Sequence, residues 1–375
     1  MSSFGIFTTS RADFSIIEPM VKKLQNSRKH KSYLFVGGSH LLKKFGESVN
    51  EIKKNKIKIT SQFNYFTGSS EKKNIIKNFS NSIIKINSIF EKYNFEYVII
   101  NGDRYELISV VMNSIIYNKK IIHLSGGEET TGAIDNQIRN MISKCASYHF
   151  VSNKLYQKNL NKMNIKKNIF LTGSLDFIRL DKINRKKINK KYFFKKYNLD
   201  INKKLALLTY HPETNTISKI SYHDQIKLII DCLKIKKYQI ILTGGNLDPG
   251  IDGFFKYLES KKNMENISYY SALGSDNYLS LMKFADLVIG NSSSGIAESP
   301  FFKVPTINIG TRQKGRIIHK NILNCDLQQK NIIDKINKVS TLSFKKKIKN
   351  IKYKFGDKKV LSKIMSILSN IKKHE

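Results

Sequence analysis

Short apolar runs alternate with longer amphipathic stretches along most of the chain. Phe4-Gly-Ile-Phe-Thr-Thr9 reads as a strand, and Ile16, Ile17, Met20, Val21 and Leu24 follow at helical spacing. Ser32-Tyr-Leu-Phe-Val-Gly-Gly38 reads as a second strand. From Glu71 to Tyr93 a helix is expected, with Ile75, Ile76, Phe79, Ile83, Ile86 and Phe90 on one packing face. Phe95-Glu-Tyr-Val-Ile-Ile-Asn-Gly102, Lys120-Ile-Ile-His-Leu124, Ser147-Tyr-His-Phe-Val151 and Asn168-Ile-Phe-Leu-Thr-Gly173 add further strands. A helix is expected after the first of these, through Asn118. Such runs, apolar throughout rather than alternating, fit parallel strands buried on both faces.

Leu180 to Leu199 is dense in Lys and Asn and lacks strand character, so the inter-domain connection is placed there or just before it. The alternation then restarts. Strands are expected at Leu205–Thr209, Gln239–Gly244, Ser268–Tyr270, Ala285–Ile289 and Pro305–Gly310. Helices are expected over Tyr222–Leu233, near Gly253–Lys261 and over Tyr278–Phe284. Two such series make two doubly wound α/β domains, residues 1–180 and 181–355. A final amphipathic helix within 356–375, carrying Leu361, Ile364, Met365, Ile367, Leu368 and Ile371, is expected to pack back on the first domain.

The 375 residues suffice for two cores of ordinary size, and 40% of them are hydrophobic. No run is long enough to span a bilayer. The N-terminus enters a strand without a basic and apolar leader, so no signal peptide is expected. Cys145, Cys232 and Cys325 lie far apart and form no CxxC pair. That argues against a disulfide framework or zinc ribbon and fits a reducing cytoplasm. The formal charge of +37 comes almost entirely from Lys, spread over solvated helix faces beside abundant Asn and Ile, as AT-rich codon usage would produce. No aromatic-interleaved basic motif accompanies it, so nucleic-acid binding is the weaker reading. Arg is scarce. In a chain that defaults to Lys, Arg marks places where a rigid bidentate fork is needed. Arg11, Arg28, Arg104, Arg139, Arg179, Arg185, Arg312 and Arg316 are all there are.

Candidate chemistry gathers at the carboxyl ends of the strands, where open α/β sheets bind ligands. Arg11 lies in the first strand-to-helix loop, which is not a GxGxxG fingerprint. Asp103 and Arg104 leave the strand at Asn101; Asp103 could equally be a helix N-cap. Ser125-Gly-Gly-Glu-Glu-Thr-Thr-Gly-Ala-Ile-Asp135 joins a Gly pair to Glu128 and Asp135. Clustered carboxylates can divide acid and base roles, although a glycine turn with a solvated acidic rim reads the same way. Tyr210-His-Pro-Glu places His211 at a strand end, able to donate to phosphate or transfer a proton, or simply structural. Asn246 and Asp248 follow the next strand. Gly290-Asn-Ser-Ser-Ser-Gly295 then offers Ser292 and Ser293 at a helix N-terminus, with Glu298 on its first turns and Arg312 leaving the next strand. Strand, small polar loop and helix N-terminus together bind phosphate through free N–H groups and the helix dipole.

Taken together, Arg11, Asp103-Arg104, the Gly-Gly-Glu128 loop, His211-Pro-Glu, Gly-Asn-Ser-Ser-Ser-Gly295, Glu298 and Gly-Thr-Arg312-Gln make the chain resemble the UDP-N-acetylglucosamine 2-epimerases. It is most similar to the hydrolysing branch that feeds sialic acid and related nonulosonic acids. The likeness runs from Ser10 to about Arg316. It implies a GT-B-like fold, with two Rossmann-like domains facing across a nucleotide-sugar cleft. It also implies that Arg11, His211, Ser292 and Ser293 contact the diphosphate with Arg104 nearby. Glu298 would hold the ribose hydroxyls, Arg312 would complete nucleotide binding, and Asn246 would reach the uridine. Asp103, Glu128 and Asp135, with His211, would carry the chemistry, and no cofactor or metal is needed. The expected partners are the nucleotide sugar and further copies of the chain, as a dimer or tetramer. Ser125 stands where some members place a Glu, and the following loop is one residue longer than theirs. A UDP or GDP carrier and a 2-acetamido or 2,4-diacetamido sugar both fit, as does a GT-B glycosyltransferase sharing the fold. A non-hydrolysing epimerase would keep its nucleotide attached.

Overall fold

The computed structural model describes residues 1–43, 46–66, 72–130, 134–211, 220–244, 266–270 and 273–374. It contains two compact units. Met1–Glu129, Ile134–Arg179 and Lys354–Glu375 form the first, and Leu180–Tyr353 make up nearly all of the second.

The first unit holds a seven-stranded, all-parallel sheet. Its strands are β1 (Ser2–Thr8), β2 (His30–Gly37), β3 (Ser61–Phe63), β4 (Tyr97–Asn101), β5 (Lys120–Leu124), β6 (Tyr148–Val151) and β7 (Ile169–Leu171). They lie in the order β3-β2-β1-β4-β5-β6-β7. Winding runs outward in both directions from β1 and β4, so the topological switch lies between them. Helix α1 (Arg11–Gln25) covers one face with Phe14, Ile17, Met20, Val21 and Leu24 buried, as the helical spacing requires. Ser10 caps it, and Asp13 completes a reciprocal capping box. Helices α2 (Val49–Lys54), α3 (Lys72–Lys92), α4 (Leu107–Ile116), α5 (Asp135–Cys145), α6 (Lys154–Lys162) and α7 (Asp176–Arg185) complete the connections. The stripe on α3 is narrower than its periodicity suggests. Ile86, Ile89 and Phe90 are buried, whereas Ile76 faces solvent. Helix α4 begins at Leu107 with Glu106 at its N-cap position, so Asp103 does not cap it.

The second unit holds a six-stranded, all-parallel sheet. It consists of β8 (Lys204–Thr209), β9 (Tyr238–Thr243), β10 (Ile267–Tyr270), β11 (Leu287–Gly290), β12 (Thr306–Ile309) and β13 (Ile322–Cys325). The order is β10-β9-β8-β11-β12-β13, which puts a second switch between β8 and β11. The Lys- and Asn-rich stretch after Leu180 is no extended connection. It carries the end of α7 and helix α8 (Lys190–Lys196), whose Phe193 and Phe194 are buried against Leu205, Leu207 and Ile241. The remaining helices are α9 (Tyr222–Ile235), α10 (Ser275–Phe284), α11 (Ser293–Ala297), α12 (Ser299–Phe302), α13 (Gln329–Ser340) and α14 (Leu342–Lys349). The helix expected near Gly253–Lys261 lies outside the described residues. The final helix, α15 (Val360–Ser369), belongs to the first unit. Its Val360, Ile364 and Leu368 share a buried cluster with Phe4, Ile17 and Met20. At roughly 1.5–3 kcal/mol for each fully buried aliphatic side chain, that face alone fixes the helix there. The two units have the paired Rossmann-like, GT-B-like architecture. Among the described residues no helix is long and apolar enough to cross a membrane.

Four histidines sit inside the first unit: His30, whose pKa burial lowers, and the three more strongly shifted His40, His123 and His149. Burial pushes the pKa values of these three down, to about 3, about 3 and about 4. An unfolded chain would protonate them near 6.5. Below that value the unfolded state binds more protons, so their contribution to stability is full above pH 6.5 and is lost as the pH falls toward 3–4. Asp13 acts in the opposite sense over part of that range. Burial raises its pKa to about 6, so its proton favours the folded state between about pH 4 and 6 and offsets one histidine. Four against one leaves acid destabilisation. Thermal melts should show Tm falling from pH 7 to pH 4.5, and a constant or rising Tm would contradict this balance.

Candidate active site

Several of the residues singled out by sequence follow strands at or beside the two switch points. In the first unit Arg11 is the first residue of α1 rather than part of the preceding loop. It follows β1 directly, while Asp103 and Arg104 follow β4. Asp13 organises the turn ahead of Arg11. Its carboxylate accepts from the backbone N–H groups of Thr9 (3.2 Å) and Ser10 (3.2 Å) and from the Thr8 hydroxyl. His40 backs this group, with Nε2 3.0 Å from Thr8 Oγ1 and Nδ1 2.8 Å from Ser48 Oγ. Partial burial lowers the Arg11 pKa from its usual value, with Glu51 opposing the shift.

Asp103 is held by Arg139, four residues after Asp135 on α5. The Arg139 guanidinium is buried and forms an ion pair with Asp103 Oδ2. Its Nη1 donates to the carbonyl oxygen of Glu128 at 2.7 Å. One planar fork thus ties the loop after β4 to the loop after β5, and Asp103, a quarter exposed, retains access to solvent. His123 on β5 braces the same turn. Because burial keeps it neutral, its Nε2–H donates to Gly102 O at 2.8 Å, and Nδ1 accepts from Ser143 Oγ at 3.1 Å. The Gly126-Gly127 pair has a steric cause. Gly127 has φ +74°, and a Cβ there would collide with the Tyr156 carbonyl oxygen. Asn159 donates to Gly127 O at 2.9 Å. Ser125 is itself left-handed, at φ +67°, and its hydroxyl donates to Asn101 Oδ1 at 3.0 Å. Glu128 and Asp135 are both half-buried, and Asp135 is the first residue of α5. Arg104, expected near the diphosphate, has a side-chain partner within its own turn. It forks onto the buried Glu106, with Nε at 3.2 Å and Nη2 at 2.9 Å from the two carboxylate oxygens.

In the second unit the loops after β8 and β11 are laced together. His211 N–H donates to Asn291 Oδ1 at 2.7 Å, and Asn291 Nδ2 donates back to His211 O at 2.8 Å. Gln313, next to Arg312, donates to Asn291 O at 2.8 Å. Gly290, at φ +130°, lies so close to the Thr209 carbonyl that no side chain fits. Ser292 caps α11 by accepting from the Ser294 N–H. Ser293 is exposed, Arg312 half-buried and His211 buried. A small recess between these strands and α11 is lined in part by Thr209, Gly290, Ser292 and Asn308. Helix α11 is a single turn, so Glu298 stands at its carboxyl end and not on its first turns. Asn246 and Asp248 lie outside the described residues. Among the described residues no group of three or more His, Cys, Asp or Glu side chains could hold a metal ion.

Sequence reasoning named the residues at the loop tips and missed those that hold them: Asp13, His40, His123, Arg139 and Asn291. The scarcity of Arg, with Arg139 one helical turn from Asp135, was a signal for one of them.

A doubly wound sheet in each unit, each with polar loops at its switch point, defines a protein of GT-B-like architecture. The family model for UDP-N-acetylglucosamine 2-epimerase matches residues 22–369, and the chain belongs to that family, within its hydrolysing branch. A curated relative from Campylobacter jejuni, named GDP/UDP-N,N'-diacetylbacillosamine 2-epimerase (hydrolyzing), is 35% identical over 326 residues, covering 86% of this chain and 84% of that protein. One from Legionella pneumophila, named UDP-N,N'-diacetylbacillosamine 2-epimerase (hydrolyzing), is 27% identical and covers 98% of this chain and 95% of that protein. The fold matches the crystal structure of the Neisseria meningitidis UDP-GlcNAc 2-epimerase bound to UDP-GlcNAc, with a TM-score of 0.82. That match is 16% identical and covers 99% of this chain and 100% of the other.

The Arg139 fork yields a direct expectation. Arg139→Lys keeps the charge but gives a single ammonium that cannot reproduce the fixed fork between Asp103 and Glu128 O. Turnover should fall about 10–100-fold, since small misplacements of a reacting group cost that much. Affinity for the nucleoside diphosphate should stay within about threefold, because the fork engages Asp103 and the Glu128 carbonyl, neither of which is expected to contact the diphosphate. Steady-state kinetics and calorimetric titration with UDP check both, and unchanged turnover would remove the fork from the chemistry.

Proposed function

We propose that this protein is a hydrolysing 2-epimerase. It would convert a nucleoside-diphosphate-linked 2-acetamido sugar into the free 2-epimer and the nucleoside diphosphate. Membership of the family supports this, as do the printed names of the Campylobacter and Legionella relatives. The observation that carries it is the Arg139 fork, which fastens Asp103 beside the Glu128 loop, next to the switch point of the first sheet. A carboxylate in that position has a defined direction, as a group exchanging a proton with carbon needs.

In the proposed sequence one of Asp103, Glu128 and Asp135 removes the proton from C2 of the sugar. The C2–H electron pair forms the C1–C2 double bond, and the diphosphate leaves C1 with the C1–O pair. The product is a 2-acetamidoglucal. Water then adds its hydroxyl to C1, and a second acid delivers a proton to the opposite face of C2. Arg11, His211, Arg312 and the N–H groups around Ser292 and Ser293 would stabilise the charge developing on the diphosphate. Glu298 would accept from the ribose hydroxyls. Asn246 is proposed to reach the base. Arg104, committed to Glu106, would act at one remove by holding the turn beside Asp103. The chemistry touches only C1 and C2, so it does not depend on the substituent at C4. The two relatives make an N,N'-diacetylbacillosamine carrier the first substrate to try, and UDP-N-acetylglucosamine the second. A product of this type would serve the synthesis of nonulosonic acids such as sialic or legionaminic acid, consistent with a soluble cytoplasmic enzyme.

Incubation with each nucleotide sugar in D2O, followed by NMR, tests the reading. Free nucleoside diphosphate, the free 2-epimeric sugar and one deuterium at C2 are expected. An epimer still bearing its nucleotide would overturn hydrolysis, and transfer to an acceptor without C2 exchange would favour a glycosyltransferase. Asp103→Asn should lower turnover by at least about 100-fold, the usual scale of a proton-transfer group, with nucleoside diphosphate still bound.

A further inference from the structure

Glu298 does not stand alone. It follows the single turn of α11, and Ser294 precedes it by four residues, so both side chains lie on one face. Ser294 Oγ is 2.5 Å from Glu298 Oε2 and 2.8 Å from the hydroxyl of Tyr278 on α10. The direction of these bonds follows from proton counting. An ionised carboxylate only accepts, and a serine has one hydroxyl proton to give. That proton therefore goes to Glu298, and Tyr278 must donate its own to Ser294. Two hydroxyls thus donate in line toward one carboxylate oxygen, each bond polarising the next. The Glu298 side chain is buried, at 8% exposure, while Tyr278 lines the recess between the strands β8, β11 and β12 and α11.

We infer that Tyr278 and Ser294 are positioning residues that aim the Glu298 carboxylate at the ribose of the bound nucleotide. The inference rests on the reading of Glu298 as the ribose acceptor. A glutamate has three side-chain torsions, each with more than one accessible well. Fixing Oε2 through Ser294 sets the direction of the remaining lone pairs before any ligand arrives, so less freedom is lost on binding. Ser294 thereby does a different job from its neighbours: Ser292 caps the helix, Ser293 is exposed to solvent, and Ser294 turns inward. The relay also makes recognition of the ribose hydroxyls depend on two residues that need not touch the nucleotide.

Titration calorimetry on the full-length protein with UDP and with 2′,3′-dideoxy-UDP tests this, because the ligands differ only in the ribose hydroxyls. The same pair built on guanine covers a GDP carrier. The unaltered protein should prefer UDP by roughly 10–100-fold, the scale of hydrogen bonds to a charged acceptor. Ser294→Ala and Tyr278→Phe should each cut that preference by about 3–10-fold, as loss of an orienting hydrogen bond does, and leave dideoxy-UDP affinity unchanged. Ser294→Thr, which keeps the hydroxyl, should restore it. Glu298→Ala should abolish it. If Glu298→Ala abolishes the preference but Ser294→Ala keeps it, the relay is overturned and the ribose reading stands. If Ser294→Ala weakens both ligands equally, its role is structural and the inference falls. If Glu298→Ala leaves the preference intact, the ribose reading falls and the relay with it.

Discussion

The buried guanidinium of Arg139 is the contact on which the candidate site of the first unit depends. A charge at this depth is tolerable only when paired and hydrogen-bonded, and Arg139 has both an anion, Asp103, and a carbonyl acceptor, Glu128 O. The pairing is mutual. Asp103 gains a fixed direction and a counter-charge, and the longer loop after β5 gains an anchor near the middle of its length. The loops it joins follow adjacent strands, so the rigidity of the sheet passes directly to the carboxylates. His123 reinforces this from below by bonding the Gly102 carbonyl just before Asp103.

The second unit solves the same problem with neutral groups. Asn291 exchanges a pair of hydrogen bonds with the His211 backbone and accepts a third from Gln313. Three loops, after β8, β11 and β12, are locked without a buried charge. The difference suits the proposed division of labour. A surface meant to receive a diphosphate is best lined by N–H donors and cations, whereas proton transfer needs carboxyl groups held in a fixed position. Gly290 belongs to this arrangement because the loop after β11 runs against the Thr209 backbone.

Local pattern carried much of the architecture. Runs such as Tyr97–Asn101 and Leu205–Thr209 are apolar on both faces, and only parallel strands covered by helices bury them so. The edge strands were harder. Ser61–Phe63 and Ile322–Cys325 are short and partly exposed, and nothing in their composition separates them from loops until a neighbour supplies hydrogen bonds. Lys- and Asn-rich α8 misleads for the same reason. Its polar composition hides two buried phenylalanines that only packing against β8 and β9 reveals. Glu298 illustrates the limit on boundaries: Pro300 sits in the first turn of α12 and ends α11 after one turn, where spacing alone allowed a longer helix.

By itself the sequence determined which residue types stand at the ends of strands, because strand, turn and helix signals are local and each loop inherits its place from them. Arg11, Asp103, Glu128, His211 and Ser292 are legible on that basis. What only the tertiary structure decided is which of them are held, and by what. Arg139 is 36 residues from Asp103, and Asn291 is 80 from His211. Contacts across such separations exist only once the strand order has placed β4 beside β5 and β8 beside β11. No periodicity encodes that order, since it follows from the winding of the whole sheet.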